Sequence, residues 1–218
     1  NSRDKKSIEE HFTPNPALEA ELRSRGKDKY ADKVAHAGNL NVSYVYQEEP
    51  LGLGHAVHCA ADCIDGEPFF VLLGDVLVPD NQMLIRMKEV SDAHKGASVI
   101  AVLPVAPEEV DRFGVIAGSE VEEGVWKVDS LVEKPPIDEA PSNLAVFGRY
   151  LLTPRVMDLL AEVKPGAGGE IQLTDALDAL LQEEEMYALV IDPEEGYDTG
   201  TIESWLDTNN RLYKKMHG

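Results

Sequence analysis

The 218-residue sequence has little cysteine and a deficit of positive charge. Its two cysteines cannot form the disulfide framework of a small secreted domain. Lysine and arginine number 20 against 40 aspartates and glutamates, which gives a formal net charge of −20. Binding to nucleic acid or to an anionic membrane depends on basic residues that neutralise phosphates. The charge therefore excludes both as partners.

The sequence also lacks a long apolar run and any segment that resembles a signal peptide. Together with the scarcity of cysteine, this predicts a cytoplasmic protein. A hydrophobic content of 43% is enough for a buried core, and the length favours one large domain over two small ones. The chain begins without methionine, in a helix-like segment over 1–12, which suggests that a preceding segment has been removed.

Strand-like and helix-like segments alternate along the chain, with polar turns between them. Helical patterns cover 17–34, 55–64, 81–95, 154–163, 175–184 and 201–215, and strand patterns cover 41–47, 69–73, 97–103, 114–116, 126–132 and 144–152. Thr174 and Thr201 are placed to cap the last two helices. The apolar run at 69–73 is typical of a central strand covered on both faces. The alternation predicts an α/β fold with a mixed, mostly parallel sheet flanked by helices, and ligands beyond the carboxyl ends of its strands.

Two aspartates stand where a hard cation could be held between the protein and a phosphate. Asp75 follows the apolar strand directly, and Asp198 lies in a turn before the last helix. A pair of carboxylates from distant segments is what a Mg²⁺ site shared with phosphates needs. Taken alone, Asp75 fits a turn former as well as a metal ligand, and Asp198 fits a turn former better. The prediction of a metal site depends on their pairing.

Other polar groups are more ambiguous when taken singly. Glu133 and Lys134 end a strand and are followed by two prolines. They could bind sugar hydroxyls and a phosphate, or they could form a solvated ion pair. The Gly-rich turn over 51–54 would allow a base or phosphate to approach the backbone, but it is not a P-loop. The His and Cys residues over 55–63 have helical spacing, which suits a packing face better than a zinc site.

Seven separated stretches carry a resemblance to a known family. They are YQEEPLGLGHA (46–56), LLGD (72–75), FGVI (113–116), LVEKP (131–135), APSNLAV (140–146), GAGGEIQLTD (166–175) and YDTG (197–200). In this order they resemble the bacterial UTP:glucose-1-phosphate uridylyltransferases, or UDP-glucose pyrophosphorylases, a branch of the sugar nucleotidyltransferases. The match runs from residue 7 to the last helix.

The resemblance implies a Rossmann-like nucleotidyltransferase fold, Mg²⁺ as cofactor, and UTP, glucose 1-phosphate and UDP-glucose as ligands. It also implies roles for eight residues. Gln47 would recognise uracil, with the backbone of Gly52 against the base. The remaining roles are metal binding by Asp75 and Asp198, contact with the sugar phosphate by Lys134, and positioning of the glucose hydroxyls by Gly114, Glu133 and the backbone around Val146. Asp75 and Lys134 would take part directly in catalysis.

Two departures from the family pattern affect these expectations. The family begins with a strand and a G-x-G-T-R loop that wraps the triphosphate, and this sequence contains neither, so we expect a single domain over 1–218 that is truncated at its N-terminus. Val76 stands where the branch commonly has a second acidic residue. The alternatives are a thymidylyl- or other nucleotidyltransferase and a non-catalytic sugar-nucleotide-binding protein. A homo-oligomer, dimer or tetramer, is expected, although the amphipathic last helix could equally pack within its own domain.

Overall fold

A computed structural model describes residues 5–217 of the chain. The chain divides into two compact units, Asn1–Pro50 and Leu51–Gly218. The expectation of one domain over 1–218 stays a prediction. Within the described residues, no helix is long and apolar enough to cross a membrane.

The regular structure described in the first unit consists of the helices α1 (Lys6–His11), α2 (Pro16–Ser24) and α3 (Asp28–Gly38). Asn15 caps α2, since its side-chain oxygen accepts a hydrogen bond of 3.1 Å from the backbone N–H of Leu18. The prediction of one helix over 17–34 is wrong. Gly26 adopts a φ of +69° between α2 and α3, and this left-handed residue ends the first helix.

The described strands of the second unit are β1 (Phe69–Leu72), β2 (Val76–Leu77), β3 (Ser98–Pro104), β4 (Gly114–Glu122), β5 (Val125–Glu133), β6 (Leu144–Leu152), β7 (Met186–Val190) and β8 (Tyr197–Asp198). Its α-helices are α4 (Leu53–His58), α5 (Gln82–Ala93), α6 (Arg155–Glu162), α7 (Leu173–Leu180) and α8 (Ile202–His217). Short 3₁₀ turns cover Ala61–Cys63, Pro107–Arg112, Ile137–Glu139 and Ala167–Gly169.

Six strands form one sheet in the order β1-β6-β3-β7-β5-β4, and β2 pairs with β8 in a small separate ladder. The sheet is mixed and flanked by helices, which confirms the predicted fold class. The prediction that it is mostly parallel is wrong: β3 and β7 run parallel, whereas the other described pairs are antiparallel. The turn at 123–124 joins β4 to β5, and so short a connection can join antiparallel strands only. An alternation of segment types does not reveal strand direction.

Helices cover both faces of the six-stranded sheet. The helices α4, α6 and α7 pack together on one face, and α5 packs on the other. The central strand β3 contributes to both cores, since Ile100 and Val102 face the first group and Val99 and Ala101 face α5. This two-sided core holds the strand ends at which the cleft described below is built.

Two predicted strands differ from the structure. The apolar run at 69–73 becomes β1, which lies at the edge of the sheet with Phe70 36% and Leu72 51% exposed, so a central position is wrong. An apolar run favours burial, but it does not specify the strand's place in the sheet. The segment 41–47 is irregular and belongs to neither sheet, so its prediction as a strand is also wrong.

Other elements agree closely with prediction. The segments 81–95, 97–103, 144–152 and 154–163 are confirmed as α5, β3, β6 and α6, with ends shifted by two residues at most. The helix predicted over 55–64 already ends at His58, and a 3₁₀ turn follows it. The cap at Thr201 is confirmed, since its hydroxyl oxygen accepts a hydrogen bond of 3.1 Å from the backbone N–H of Ser204.

Candidate active site

A cleft of about 420 Å³ in the second unit brings together most of the residues singled out from the sequence. The predicted residues that line it are Asp75, Gly114, Glu133, Lys134, Val146 and Asp198. They come from the turn between β1 and β2, from β4, β6 and β8, and from the end of β5 with the residue that follows it. Asp75 and Lys134 follow the carboxyl ends of β1 and β5, whereas Gly114 and Val146 lie at or near the amino ends of β4 and β6. The prediction of a site beyond carboxyl ends is therefore wrong for β4 and β6, because antiparallel neighbours bring opposite ends to one edge of a sheet.

Asp75 and Asp198 meet at one end of the cleft because the β2–β8 ladder joins their segments. The ladder pairs Val76 with Asp198. Thr199 then donates two hydrogen bonds to the carbonyl oxygen of Asp75, from its backbone N–H at 2.8 Å and from its hydroxyl at 2.7 Å. A Cβ placed on Gly200 would lie 3.1 Å from Asp198 Oδ1 and 3.4 Å from Asp75 Oδ2. The two carboxylates therefore face the same small space.

This donor set suits a divalent cation such as Mg²⁺. Carboxylate oxygens are the ligands that hard cations prefer, and Mg²⁺ is commonly held by one or two carboxylates together with substrate phosphates. Across residues 5–217 no group of three or more His, Cys, Asp or Glu side chains could hold a metal ion. Two carboxylates fill only part of the coordination shell of Mg²⁺, so a cation between Asp75 and Asp198 would have positions left for phosphate oxygens.

Lys134 occupies the cleft in an uncommon backbone conformation. Its φ is +48°, in the left-handed region that residues other than glycine rarely adopt. The backbone N–H of Lys134 donates a hydrogen bond of 3.0 Å to the carbonyl oxygen of Phe113, and its side chain is 52% exposed. The strained conformation directs the chain out of β5 while the amine stays available to a ligand.

Glu133 is held more tightly, at the pairing of β4 with β5. Its side chain is 14% exposed, and its Oε2 accepts a hydrogen bond of 2.7 Å from the hydroxyl of Thr174. A Cβ on Gly114 would lie 3.1 Å from Glu133 Oε2, so only glycine leaves the carboxylate this much room. The second oxygen, Oε1, is 3.7 Å from Lys134 Nζ. One carboxylate oxygen is therefore fixed, and the other remains able to accept from a ligand hydroxyl.

Thr174 corrects a prediction and adds a residue to the site. The sequence predicts it as the cap of a helix that begins at Asp175, but α7 begins at Leu173 and follows Gln172 as cap residue. The hydroxyl of Thr174 instead bonds Glu133. Local sequence contains the signal for a cap, whereas a partner 41 positions away becomes visible only in the fold.

Tyr150 is a second residue that sequence reasoning missed. It shares one face of β6 with Val146 and Gly148, and all three line the cleft. Tyr150 is 6% exposed, and burial raises the pKa of its hydroxyl above the ordinary value, with the charges of Glu133 and Asp75 adding to the effect. The phenol therefore stays protonated and can donate a hydrogen bond. Its spacing of four from Val146, an even number that keeps both side chains on one face of a strand, is the sequence signal that could have identified it.

Gln47 and Gly52 are not among the cleft-lining residues. Gln47 belongs to the first unit, and its role stays a prediction. Gly52 has a φ of +113°, and a Cβ there would lie 2.6 Å from the carbonyl oxygen of Ile171. The glycine thus has a packing role against a neighbouring segment of backbone. Its predicted contact with a base stays a prediction.

The charged lining of the cleft is acidic on balance: Asp75, Glu133, Glu170 and Asp198 against Arg112 and Lys134. A phosphate entering this cleft meets a cation at Lys134 and repulsion at the acidic pair. A bound divalent cation would reverse the sign of the charge at that end. The lining therefore fits an anionic ligand that arrives with a metal ion.

The family model for nucleotidyl transferases matches residues 2–215. The chain belongs to the nucleotidyl transferase family. It is 42% identical over 200 residues to the UTP–glucose-1-phosphate uridylyltransferase YngB of Bacillus subtilis, covering 91% of this chain and 67% of that protein. The resemblance predicted from the sequence is confirmed.

Solved structures of the family have the same fold. A UDP-glucose pyrophosphorylase complexed with UDP-glucose aligns with a TM-score of 0.87 at 36% identity, covering 98% of this chain and 79% of that one. A UTP-bound enzyme from Acinetobacter baumannii aligns with a TM-score of 0.82 at 34% identity, covering 97% and 74%. The chain thus spans 67 to 79% of the length of these relatives.

Proposed function

We propose that the gene product containing this chain transfers the uridylyl group of UTP to glucose 1-phosphate, giving UDP-glucose and pyrophosphate. The observation that carries this proposal is that one cleft is lined by the acidic pair, Asp75 and Asp198, and by Glu133 with Lys134. The named relatives support the same substrates, since they are called UTP–glucose-1-phosphate uridylyltransferases.

Glu133, Lys134 and β6 would hold the sugar phosphate. The free oxygen of Glu133 accepts from glucose hydroxyls, while Gly114 and the backbone at Val146 shape the sugar pocket. The ammonium of Lys134 binds the phosphate as a point charge. These contacts place the phosphate oxygen for attack, which supplies catalysis through proximity and orientation.

The reaction needs no covalent intermediate on the protein. An oxygen of glucose 1-phosphate attacks the α-phosphorus of UTP, the bond from that phosphorus to the bridging oxygen breaks, and pyrophosphate leaves. Asp75 and Asp198 would hold Mg²⁺, which when bound neutralises charge on the phosphates and leaving group. The protein's part is positioning and charge compensation rather than bond formation.

Val76 is the observation that favours a second candidate, a sugar-nucleotide-binding protein without turnover. Its side chain packs with the apolar cluster under α5 and lies beside Gly148, so it offers the cleft no oxygen. We favour catalytic activity over binding alone, because Asp75 and Asp198 lie beside each other although residue 76 is not acidic.

Release of pyrophosphate tests these alternatives. The complete gene product is incubated with Mg²⁺, glucose 1-phosphate and either UTP or dTTP. Release of pyrophosphate with UTP but not with dTTP supports the proposal, and faster release with dTTP would identify a thymidylyltransferase. No release with either nucleotide, together with binding of UDP-glucose by calorimetry, would identify a binding protein instead.

We also propose a cytoplasmic homo-oligomer. The thiols of Cys59 and Cys63 are free, as in a reducing compartment. Trp205 and Leu206 on α8 are about half exposed, and exposed apolar side chains of this size suit a contact between subunits. Light scattering of the complete gene product measures the oligomeric state directly, and a monomer would reject that part of the proposal.

A further inference from the structure

Arg149 on β6 is a buried cation that contacts the turn carrying Asp75. It is 7% exposed. Its Nη1 donates to the carbonyl oxygens of Leu73 at 3.1 Å and Gly148 at 2.9 Å, and its Nη2 donates to that of Val76 at 2.7 Å. Leu73 and Val76 lie on either side of Asp75, so the guanidinium brackets the turn.

The surroundings of Arg149 are unusual for a buried charge. In the described part of the chain its hydrogen-bond partners are backbone carbonyls, and no carboxylate forms an ion pair with it. Burial lowers the pKa of the guanidinium, while the charge of Asp75 raises it, and arginine remains protonated at neutral pH. A buried charge is costly unless it is hydrogen-bonded and compensated. Here the compensation comes from the Asp75 turn itself.

The backbone at Gly148, next to Arg149, also lies close against this turn. Gly148 has a φ of +53°, and a Cβ there would lie 2.8 Å from Val76 Cγ2 and 3.1 Å from Leu73 Cδ1. The carbonyl oxygen of Gly148 accepts a hydrogen bond of 3.0 Å from the backbone N–H of Leu73. Glycine allows β6 to approach the turn closely, and the next residue then binds it.

The turn is held from a second segment as well, since Thr199 donates two hydrogen bonds to the carbonyl oxygen of Asp75. Three of the four residues 73–76, namely Leu73, Asp75 and Val76, therefore have hydrogen-bonded carbonyl groups. The backbone that carries the Asp75 carboxylate is therefore held both from β6 and from the segment after β8.

We propose that Arg149 is a positioning residue for Asp75, which keeps the acidic pair preformed and so sets its affinity for a divalent cation. The inference rests on the proposed function to the extent that this cation serves uridylyl transfer. A merely structural arginine would stabilise the whole sheet. A positioning arginine affects the 73–77 segment and the metal affinity selectively.

The test uses Arg149→Met and Arg149→Lys in the complete gene product, with Arg155→Met as the matched control. Arg155 pairs with Glu183 on the surface, and neither residue lines the cleft. Amide hydrogen exchange of the metal-free protein reports on 73–77, and electron paramagnetic resonance titration reports on binding of Mn²⁺. In Arg149→Met we expect about tenfold faster exchange at 73–77 and about tenfold weaker Mn²⁺ binding, the size expected for lost hydrogen bonds to a charged group.

Arg149→Lys should recover part of both losses, and Arg155→Met should change neither. Equal acceleration of exchange in β3 and β7, or unchanged Mn²⁺ affinity in both Arg149 variants, would overturn the proposal. If Arg149→Met does not fold, the lysine variant decides by the same two readouts. Neither readout requires turnover, so an inactive parent protein that shows the expected pattern rejects the proposed function while retaining the role of Arg149.

Discussion

Lys134 and Lys95 share a left-handed backbone conformation but differ in their surroundings. Their φ values are +48° and +61°, and they are the described residues other than glycine with positive φ. An L-residue pays about 1–2 kcal/mol for this conformation. Lys95 follows α5 outside the cleft, where glycine would serve equally well, whereas Lys134 lines the cleft. At Lys134 we attribute the strained backbone to the position of the side chain, which glycine could not supply to the cleft.

Lys134→Ala should raise the KM for glucose 1-phosphate by about tenfold, because a charge-assisted contact with the phosphate is lost. Binding of UTP should change much less. Lys95→Ala truncates the same side chain in the same conformation and should leave both unchanged. Steady-state kinetics and calorimetry measure the two effects, and equal losses for sugar phosphate and UTP would argue against the role assigned to Lys134.

Thr174→Val should lower kcat/KM for glucose 1-phosphate by about tenfold, since it removes the hydrogen bond that fixes Glu133 Oε2 and leaves a partly buried carboxylate short of a donor. Thr174→Ser keeps the hydroxyl and should retain most of the activity. Initial rates at limiting sugar phosphate provide the comparison. Equal activity of the valine and serine variants would show that the hydroxyl is dispensable.

Tyr150→Phe should reduce the loss of stability at alkaline pH. The pKa of Tyr150 is raised in the folded protein, so above pH 10 the unfolded chain releases this proton while the folded chain retains it. Stability then falls as pH rises, by about 1.4 kcal/mol per pH unit from this group. Unfolding temperatures measured above pH 10 should decline less steeply in Tyr150→Phe than in the parent. Tyr213→Phe is the control, because Tyr213 is 67% exposed, and equal slopes in all three would refute the prediction.

The strand β6 serves the site from two directions. Val146, Gly148 and Tyr150 line the cleft, while Arg149 holds the turn before β2. One continuous strand can do both because its neighbours β1 and β3 fix its position. A change in its backbone is therefore expected to alter the position of Asp75 as well as the part of the cleft lined by Val146 and Tyr150.

Gly148→Ala should destabilise the protein by about 2–4 kcal/mol, from the left-handed φ together with overpacking against Val76 and Leu73. Gly66→Ala is the matched control. Gly66 has a φ of +73° but nothing within 4 Å of a Cβ, so only the conformational cost of about 1–2 kcal/mol applies. Urea unfolding measures the difference, and equal losses at the two glycines would show that β6 tolerates the extra methyl group.

The sequence predicted elements well where local pattern decides them. The segment 144–152 has the same ends as the observed β6. That the two aspartates share one cleft with Glu133 and Lys134 follows from the family resemblance rather than from local pattern. The predictions are wrong where contacts between distant segments determine the structure, as for the edge position of β1 and the direction of the strands. Thr174 and Arg149 act on residues more than 40 positions away, so their partners could not be read from local pattern.

Charge is the dominant property of the whole molecule. With 40 acidic and 20 basic side chains, folding concentrates a net charge of −20. Self-repulsion of this kind destabilises a compact state and is screened by salt. The substrates proposed for the protein are anions too, so the same field opposes their approach except near Lys134 and a bound cation.

Raising the ionic strength from low to physiological values should therefore raise the unfolding temperature of the protein. Sodium chloride added to the metal-free protein provides the measurement, with a neutral osmolyte at equal osmolality as control. An unfolding temperature that stays constant or falls with salt would mean that attractive pairs outweigh the excess of acidic charge.

The ladder between β2 and β8 has a consequence for biosynthesis. Just beyond the ladder, Thr199 donates hydrogen bonds to Asp75, a residue 124 positions away. During translation the segment bearing Asp75 leaves the ribosome long before its partner exists, so Asp75 lacks the two hydrogen bonds from Thr199 until the segment after β8 has been made. The two aspartates can therefore meet only after the YDTG turn has been made, and a chain that ends before this turn lacks Asp198 and with it half of the acidic pair.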